Sequence, residues 1–275
     1  MNQVTDQQII EILRKEAVPA LGCTEPVACA LACAKCKEVL GGVPERLDVL
    51  VSGNIYKNGM GVGIPGTGMV GLPIAAALGA VCGKSEYGLE VLKEVNVGDN
   101  LQRAKDMLGQ VTVSLKEDAP DKLYAEALAT KGNDRVKVII AHTHTNIVLV
   151  EKNGEEIFKR EFRLDTSKPE DKGPELSVKR IWDFVHEVDV KDIEFVLQGA
   201  EMNKAISAEG LNSEYGLQIG KTLKENIDKG LLEDDLLNRT LILATAASDA
   251  RMDGCPKPVM TNSGSGGCRE IWGIP

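Results

Sequence analysis

Aromatic residues are scarce in this chain: Phe, Trp and Tyr make up 4% of its 275 residues. Large rings normally supply much of a core, so small aliphatic side chains, chiefly Ala, Val, Leu and Ile, must do most of the packing. Positive charge is also short. Lys and Arg number 32 against 41 Asp and Glu, a formal charge of −9. Phosphate backbones are bound through a basic stripe, and none is present, which argues against nucleic acid as a partner. Runs such as Lys152 to Arg163 mix both signs and read as solvated edges. Apolar runs are short too. The longest, Met69 to Cys82, contains Pro73 and several glycines and falls below the roughly 20 residues of a membrane span. Met1 to Glu16 has neither a basic n-region nor an apolar h-region. Seven cysteines make an odd count, and Cys23, Cys29, Cys33 and Cys36 crowd the start. Without an export signal these read as reduced thiols rather than a disulfide framework. The expectation is a cytoplasmic protein with a small-molecule partner and no membrane.

The length fits one large domain or two modest ones, and the 43% hydrophobic share is ordinary for a globular chain. Asp6 to Lys15 has apolar residues at helical spacing. A second helix is predicted from Thr24, a plausible N-cap, to about Leu40, with Gly41-Gly42 ending it. Leu47 to Ser52 reads as a strand, Asn54 to Gly68 as a glycine-rich loop, and Met69 to Cys82 as a buried helix. Further strands are predicted over Val91–Val97, Val111–Leu115, Val136–Ala141, Ile147–Glu151 and Glu156–Phe162. Asn153-Gly154 is a hairpin signal. Asn100–Leu108 and Pro120–Lys131 read as helices between strands, and from Pro174 the pattern is helical. The predicted class is α+β: a mainly helical catalytic domain (1–84 and 166–275, incomplete at its C-terminus) with a small α+β domain inserted at 85–165.

Gly22-Cys23-Thr24-Glu25-Pro26 places Cys23 just before a helix N-terminus, where free N–H groups and the helix dipole favour a thiolate. Such a thiolate can be a nucleophile, a base or a metal ligand; the position also suits a small buried hydrophobe. Cys29, Cys33 and Cys36 have C-x3-C-x2-C spacing, but they sit in a strong helix former on one face, so they read as core residues rather than cluster ligands. Gly61 to Gly66 matches G-x-G-x-x-G without the strand and acidic partner of a dinucleotide site. The run from Lys57 to Gly68 could instead cradle a carboxylate or phosphate on backbone amides, or be a turn built for close packing. His142 and His144, at a strand end, are expected to point the same way. They could transfer protons, bind a metal with a third ligand, or simply be surface. His186 reads as surface. Cys255, between Gly254 and Pro256, has the fixed loop geometry of a metal or cluster ligand.

Ala20-Leu21-Gly22-Cys23-Thr24-Glu25-Pro26, the loop from Lys57-Asn58-Gly59 to Gly71, Ala141-His142-Thr143-His144-Thr145, and Asp253-Gly254-Cys255-Pro256 with Thr261 to Gly266 together resemble one family. It is the iron–sulfur-dependent L-serine dehydratase alpha-chain-like family, which includes the L-cysteine desulfidases. The resemblance covers about residue 5 to Gly266. It implies an amino-acid lyase that eliminates water or sulfide from L-serine or L-cysteine, giving pyruvate and ammonia without pyridoxal phosphate. It implies a [4Fe–4S] cluster on three cysteines, its open iron acting as a Lewis acid on the substrate oxygen or sulfur. Cys23 matches the active-site cysteine, a candidate base, and Cys255 the first cluster ligand. Lys57, Asn58, Gly66, Thr67 and Gly68, with Asn262, Ser263 and Ser265, would hold the substrate carboxylate. His142 and His144 carry over more loosely as catalytic residues.

One departure stands out. The family pattern continues past the Ser-Gly-Ser-Gly loop, and its other two cluster cysteines lie in that continuation. Gly267 to Pro275 has no periodicity, and Cys268 matches no family ligand. The chain is therefore expected to be C-terminally truncated and not to retain the cluster. The alternative to an active lyase is an inactive family remnant or an interaction module. A homo-oligomer is compatible with either.

Overall fold

In the computed structural model, which describes residues 4–160 and 176–260, Thr5 and Gln8 start the chain's first helix with a capping box. The Gln8 N–H donates to the Thr5 hydroxyl at 3.3 Å, and the Thr5 N–H donates to the Gln8 side chain at 2.9 Å. Such a cap contributes about 1 kcal/mol. The helix, α1 (Asp6–Glu16), is followed by a short strand, β1 (Pro19–Ala20), and then by α2 (Thr24–Leu40). α2 has the predicted bounds. Its sequence of Ala, Cys, Val and Leu offers no polar stripe, and it is buried nearly all round, as a helix between two layers must be. Gly41 ends it in the left-handed conformation, φ 72°, which glycine adopts without a Cβ penalty.

One layer against α2 is the helix α4 (Leu72–Val81). A Cβ at Gly79 would collide with the backbone of Ala30, so the two helices meet backbone to backbone. The other layer is a six-stranded sheet. Its strands are β2 (Arg46–Val51), β5 (Val111–Leu115), β6 (Tyr124–Lys131), β7 (Asp134–Ala141), β8 (Ile147–Lys152) and β9 (Glu155–Lys159), in the order β5-β2-β6-β7-β8-β9. β2 runs parallel to β5 and antiparallel to β6; the remaining pairs are antiparallel. Ala125, Ala127 and Ala129 of β6 share the face that lies under α2, each fully buried. Leu31, Leu47, Leu72 and Leu78 are also fully buried in this core, each contributing about 2 kcal/mol. The fold class is α+β, as expected.

Several local expectations are corrected. Pro120–Lys131 is not helical, since 124–131 is strand. Val91–Val97 is a run of turns in which Val91, Leu92 and Val95 are buried. Part of the expected loop after Ser52 is a helix, α3 (Gly53–Gly59), and the rest contains a hairpin of β3 (Gly63–Ile64) and β4 (Met69–Val70). The expected division at 84/85 runs through a single core, because β2 and α2 pack with β5, β6 and β7. The other expected boundary, near 165, lies outside the described residues. After α5 (Asn100–Met107), the helices are α6 (Val178–Glu187), α7 (Val190–Ile193), α8 (Leu197–Asn212), α9 (Ile219–Asp228) and α10 (Leu236–Met252).

α6 packs on α1 through Phe184, Val4, Ile9 and Ile10. Arg180 fastens this contact, donating to the Val4 carbonyl at 2.6 Å and pairing with Asp6. α8, α9 and α10 form a second, smaller core containing Ile206, Ala247, Ala250, Cys255 and Val259. β10 (Val259–Met260) then pairs antiparallel with β1, bringing residues from the two ends of the described chain side by side. Among the described residues, no helix is long and apolar enough to cross a membrane.

Candidate active site

Cys23 is the N-cap of α2, with extended backbone (φ −77°, ψ 144°). The residue before it, Gly22, has φ 78°, and a Cβ there would collide with the ring of Pro65; only glycine fits both conditions. Thr24, expected at the cap, is the first residue of the helix instead. Pro26, without an N–H, falls in the first turn, where no intrahelical bond is lost. Unbonded N–H groups and the positive end of the helix dipole thus stand at the Cys23 thiol. Its exposure is 9%, and its Sγ–H donates to the Met252 Sδ at 3.5 Å.

Met252 is the last residue of α10, and the neighbouring residues make further contacts. Arg251, 3% exposed, donates from Nη2 to the Gly22 carbonyl at 3.0 Å. A Cβ at Gly63 would strike the backbone of Asp253 and Gly254, and the Gly66 N–H donates to the Gly254 carbonyl at 3.2 Å. Asn58 donates to the Glu25 carboxylate at 3.2 Å. The segments around Gly22, Asn58, Gly63 and Gly254 therefore converge.

The structure gives the individual residues distinct surroundings. Lys57 and Asn58 are exposed on α3. Gly66 and Thr67 lie in the β3–β4 turn. The buried Thr67 hydroxyl donates to the Ile64 carbonyl at 2.7 Å and accepts from the Met69 N–H at 2.9 Å, so it shapes the hairpin. Gly68 has φ 64° and faces open space. Asn262, Ser263 and Ser265 lie outside the described residues, as does Cys268. Cys255 has 1% exposure. Its N–H donates to the Ala250 carbonyl at 2.9 Å. Its thiol bonds the Tyr215 hydroxyl, whose pKa is pushed up to about 12, first by burial and then by that bond.

His142 and His144 do not share a strand face. β7 ends at Ala141, and His142 turns the chain with φ 70°, so the alternation on which that expectation rested stops one residue too early. His142 Nδ1 lies 2.6 Å from Asp121 Oδ2, and His144 is half-buried in the same turn. Cys29, Cys33 and Cys36 are fully buried. Burial raises all three thiols, Cys29 to about 12 with a further contribution from Glu25, which suits core packing and not ligation. Among the described residues, no three or more of His, Cys, Asp and Glu come together as a metal site. Cys255 offers one thiol, so the described residues do not by themselves fit a [4Fe–4S] cluster.

Sequence reasoning missed Arg251 and Met252. A signal existed: Ala247, Ala250 and Arg251 fall at i, i+3 and i+4, placing a cation on the buried stripe of α10.

A sequence profile described as "Serine dehydratase alpha chain" matches residues 86–269. The chain belongs to the serine dehydratase alpha-chain family. It is similar to proteins named "UPF0597 protein" from several bacteria. It is 48% identical to that of Actinobacillus pleuropneumoniae serotype 3 over 263 residues, 95% of this chain and 60% of the relative. For Dichelobacter nodosus the identity is 48% over 266 residues, 96% of this chain and 61% of the relative. For Parabacteroides distasonis it is 46% over 272 residues, 97% and 62%. This serine dehydratase alpha-chain homologue therefore spans about 60% of the length of these relatives. The relatives extend the similarity to nearly the whole chain, and so over the Cys23 region, which precedes the profile match. No solved structure matches.

Proposed function

We propose that this chain carries part of the active site of an amino-acid lyase that performs β-elimination on L-serine or L-cysteine. The observation that supports it is the Cys23 thiol, capping a helix N-terminus where the glycine-rich hairpin meets the 251–255 segment. In this reading the Cys23 thiolate takes the α-proton of the bound amino acid. The Cβ–O or Cβ–S bond then breaks, and the departing oxygen or sulfur takes up the proton now held by the Cys23 thiol and leaves as water or hydrogen sulfide. The enamine tautomerises to an imine that water hydrolyses to pyruvate and ammonia. Removal of an α-proton requires a base within hydrogen-bond reach of it, and a helix N-terminus favours the charged form of a thiol placed there. Asn58 and the open Gly68 turn are the groups nearest in kind to a carboxylate binder. A cluster of the sort the resemblance implies needs thiolates beyond Cys255, so the steps given to this chain are proton transfer and substrate orientation.

A second reading, an inactive interaction module, is favoured by the outer face near the start of α10, where Leu236 and Leu237 are 82% and 67% exposed. The test compares this chain with the full-length Actinobacillus relative, both treated anaerobically with iron and sulfide and assayed for pyruvate from L-serine and L-cysteine. Pyruvate from both supports the lyase. Pyruvate from the relative alone is expected of a chain that carries part of the site; if the relative then keeps its activity when the residue aligned with Cys23 is changed to Ala, the module reading is supported instead. Pyruvate from neither, or only with added pyridoxal phosphate, overturns the lyase reading.

A further inference from the structure

We infer that Arg251 is the positioning residue of Cys23: its buried guanidinium holds the Gly22 carbonyl, fixing the thiol at the α2 N-terminus and favouring its thiolate. The inference rests on the reading of Cys23 as the base, and it adds a residue that the sequence motifs leave out. Three observations carry it. Arg251 is 3% exposed, unusual for a residue type that almost always keeps its head in water. Its Nη2 lies 3.0 Å from the carbonyl of the residue next to Cys23. Its neighbour in sequence, Met252, touches the Cys23 sulfur itself, at 3.5 Å. The last turn of α10 thus grips both sides of the residue that caps α2.

The physical consequence follows from charge and placement. A cation near a thiol favours the charged form, and a buried cation is screened less than an exposed one. Other charged groups on the surrounding elements are Glu25 on α2, Lys57 on α3, Glu90 beyond Leu89, the buried Asp249 on α10 and Asp253 after it. Glu25, Glu90, Asp249 and Asp253 oppose a thiolate. Glu25 accepts from Asn58 and Thr24, Asp249 from the Gly220 N–H at 3.2 Å, and Asp253 from the Gly216 N–H at 3.1 Å. Lys57 is exposed to solvent. Arg251 is therefore the buried cation bonded to the carbonyl of the residue before Cys23. Hydrogen bonding to Gly22 also holds the left-handed turn that aims the thiol at the helix end.

The test reads the thiol and not turnover, so failure of the lyase reading leaves it intact and distinguishable. The intact chain is alkylated with iodoacetamide across a pH series, and the rate at Cys23 is followed by peptide mass spectrometry. In the unaltered chain the rate is expected to inflect below the roughly 8.5 of a free thiol. Arg251→Met is expected to raise the inflection by about one unit, and Arg251→Lys, which keeps the charge, to bring most of it back. An unaltered chain that inflects at or above a free thiol overturns the inference whatever the variants do. So does a folded Arg251→Met protein with an unmoved inflection. Should Arg251→Met fail to fold, Arg251→Gln keeps a donor for Gly22 and removes the charge; its inflection is expected to rise, and an unmoved one overturns the inference equally.

Discussion

The sulfurs of Cys23 and Met252 lie 3.5 Å apart, joining the first turn of α2 to the last turn of α10. Met252 is 43% exposed, so it covers Cys23 without sealing it. Cys29, Cys33 and Cys36 have no such opening, and burial keeps their thiols protonated at neutral pH. The thiolate is the species that alkylates. Labelling at pH 7.5 is expected to modify Cys23 first, with Cys29, Cys33 and Cys36 reacting only on unfolding. Met252→Ala should speed Cys23 severalfold by uncovering it. Equal labelling of all four in the folded chain would remove the case for a distinct Cys23.

Gly63 sets the distance between the β3–β4 hairpin and the 253–254 backbone. What a Cβ would meet there is main chain, which cannot swing aside as a flexible side chain can. Gly63→Ala is expected to cost about 1–3 kcal/mol, seen as a lower urea midpoint with an unchanged slope. The hairpin should also pull away from Gly254, so Cys23 labelling in the native state should change with it. A variant with unaltered midpoint and labelling would mean that the two segments do not pack as described.

How much of this was legible beforehand depended on how local the signal was. The bounds of α2 could be read because its cap, its apolar run and Gly41 are all contiguous. The Asn153-Gly154 turn could be read because both residues take positive φ, 54° and 88°, as that dipeptide does readily. β6 was misread because Ala125, Ala127, Leu128 and Ala129 are good helix formers. Their period of two is set by α2 lying across them, and small residues are needed where a helix of Ala and Cys comes close. Val91–Val97 was misread in the opposite sense: β-branched residues suggested a strand, yet the buried positions 91, 92 and 95 have helical spacing. At the site, the motif glycines were visible in sequence. The Arg251 bond to Gly22 spans 229 positions, and no local pattern announces its partner.

Glu38 gives a pH dependence with a definite sign. Burial alone would raise its carboxyl, but the Ser85 hydroxyl and N–H, each at 2.6 Å, and Lys35 at 3.2 Å outweigh burial and hold it below its ordinary 4.5. A folded value below the unfolded one means stability that is present above the unfolded value and is lost as pH falls through the folded one. Glu38→Gln is expected to lower stability at pH 7 by about 1 kcal/mol, discounted for partial exposure. The difference from the unaltered chain should close below about pH 4. Urea midpoints at pH 7, 5 and 3.5 check this, and a difference that grows on acidification would contradict it.

A cubane of the family type needs three thiolates converging from loops. Among the described residues, Cys255 is the loop thiol in the matching motif, and it is packed against Ile206, Ala247 and Val259 and bonded to Tyr215. Cys29, Cys33 and Cys36 point into the core around α2. To ligate, they would have to leave fully buried positions and lose protons that burial holds in place. Cys82 follows the end of α4, where burial raises its thiol as well. Cys23 is given to proton transfer. We therefore expect the 275-residue chain, reconstituted anaerobically with iron and sulfide, to bind well under one cluster per chain, with weak visible absorbance and little pyruvate formation. What iron it does take up should fall further in Cys255→Ser and stay unchanged in Cys33→Ala. A stable preparation with a full cluster per chain, insensitive to Cys255→Ser, would show that other thiols ligate and that Cys255 has been given the wrong role.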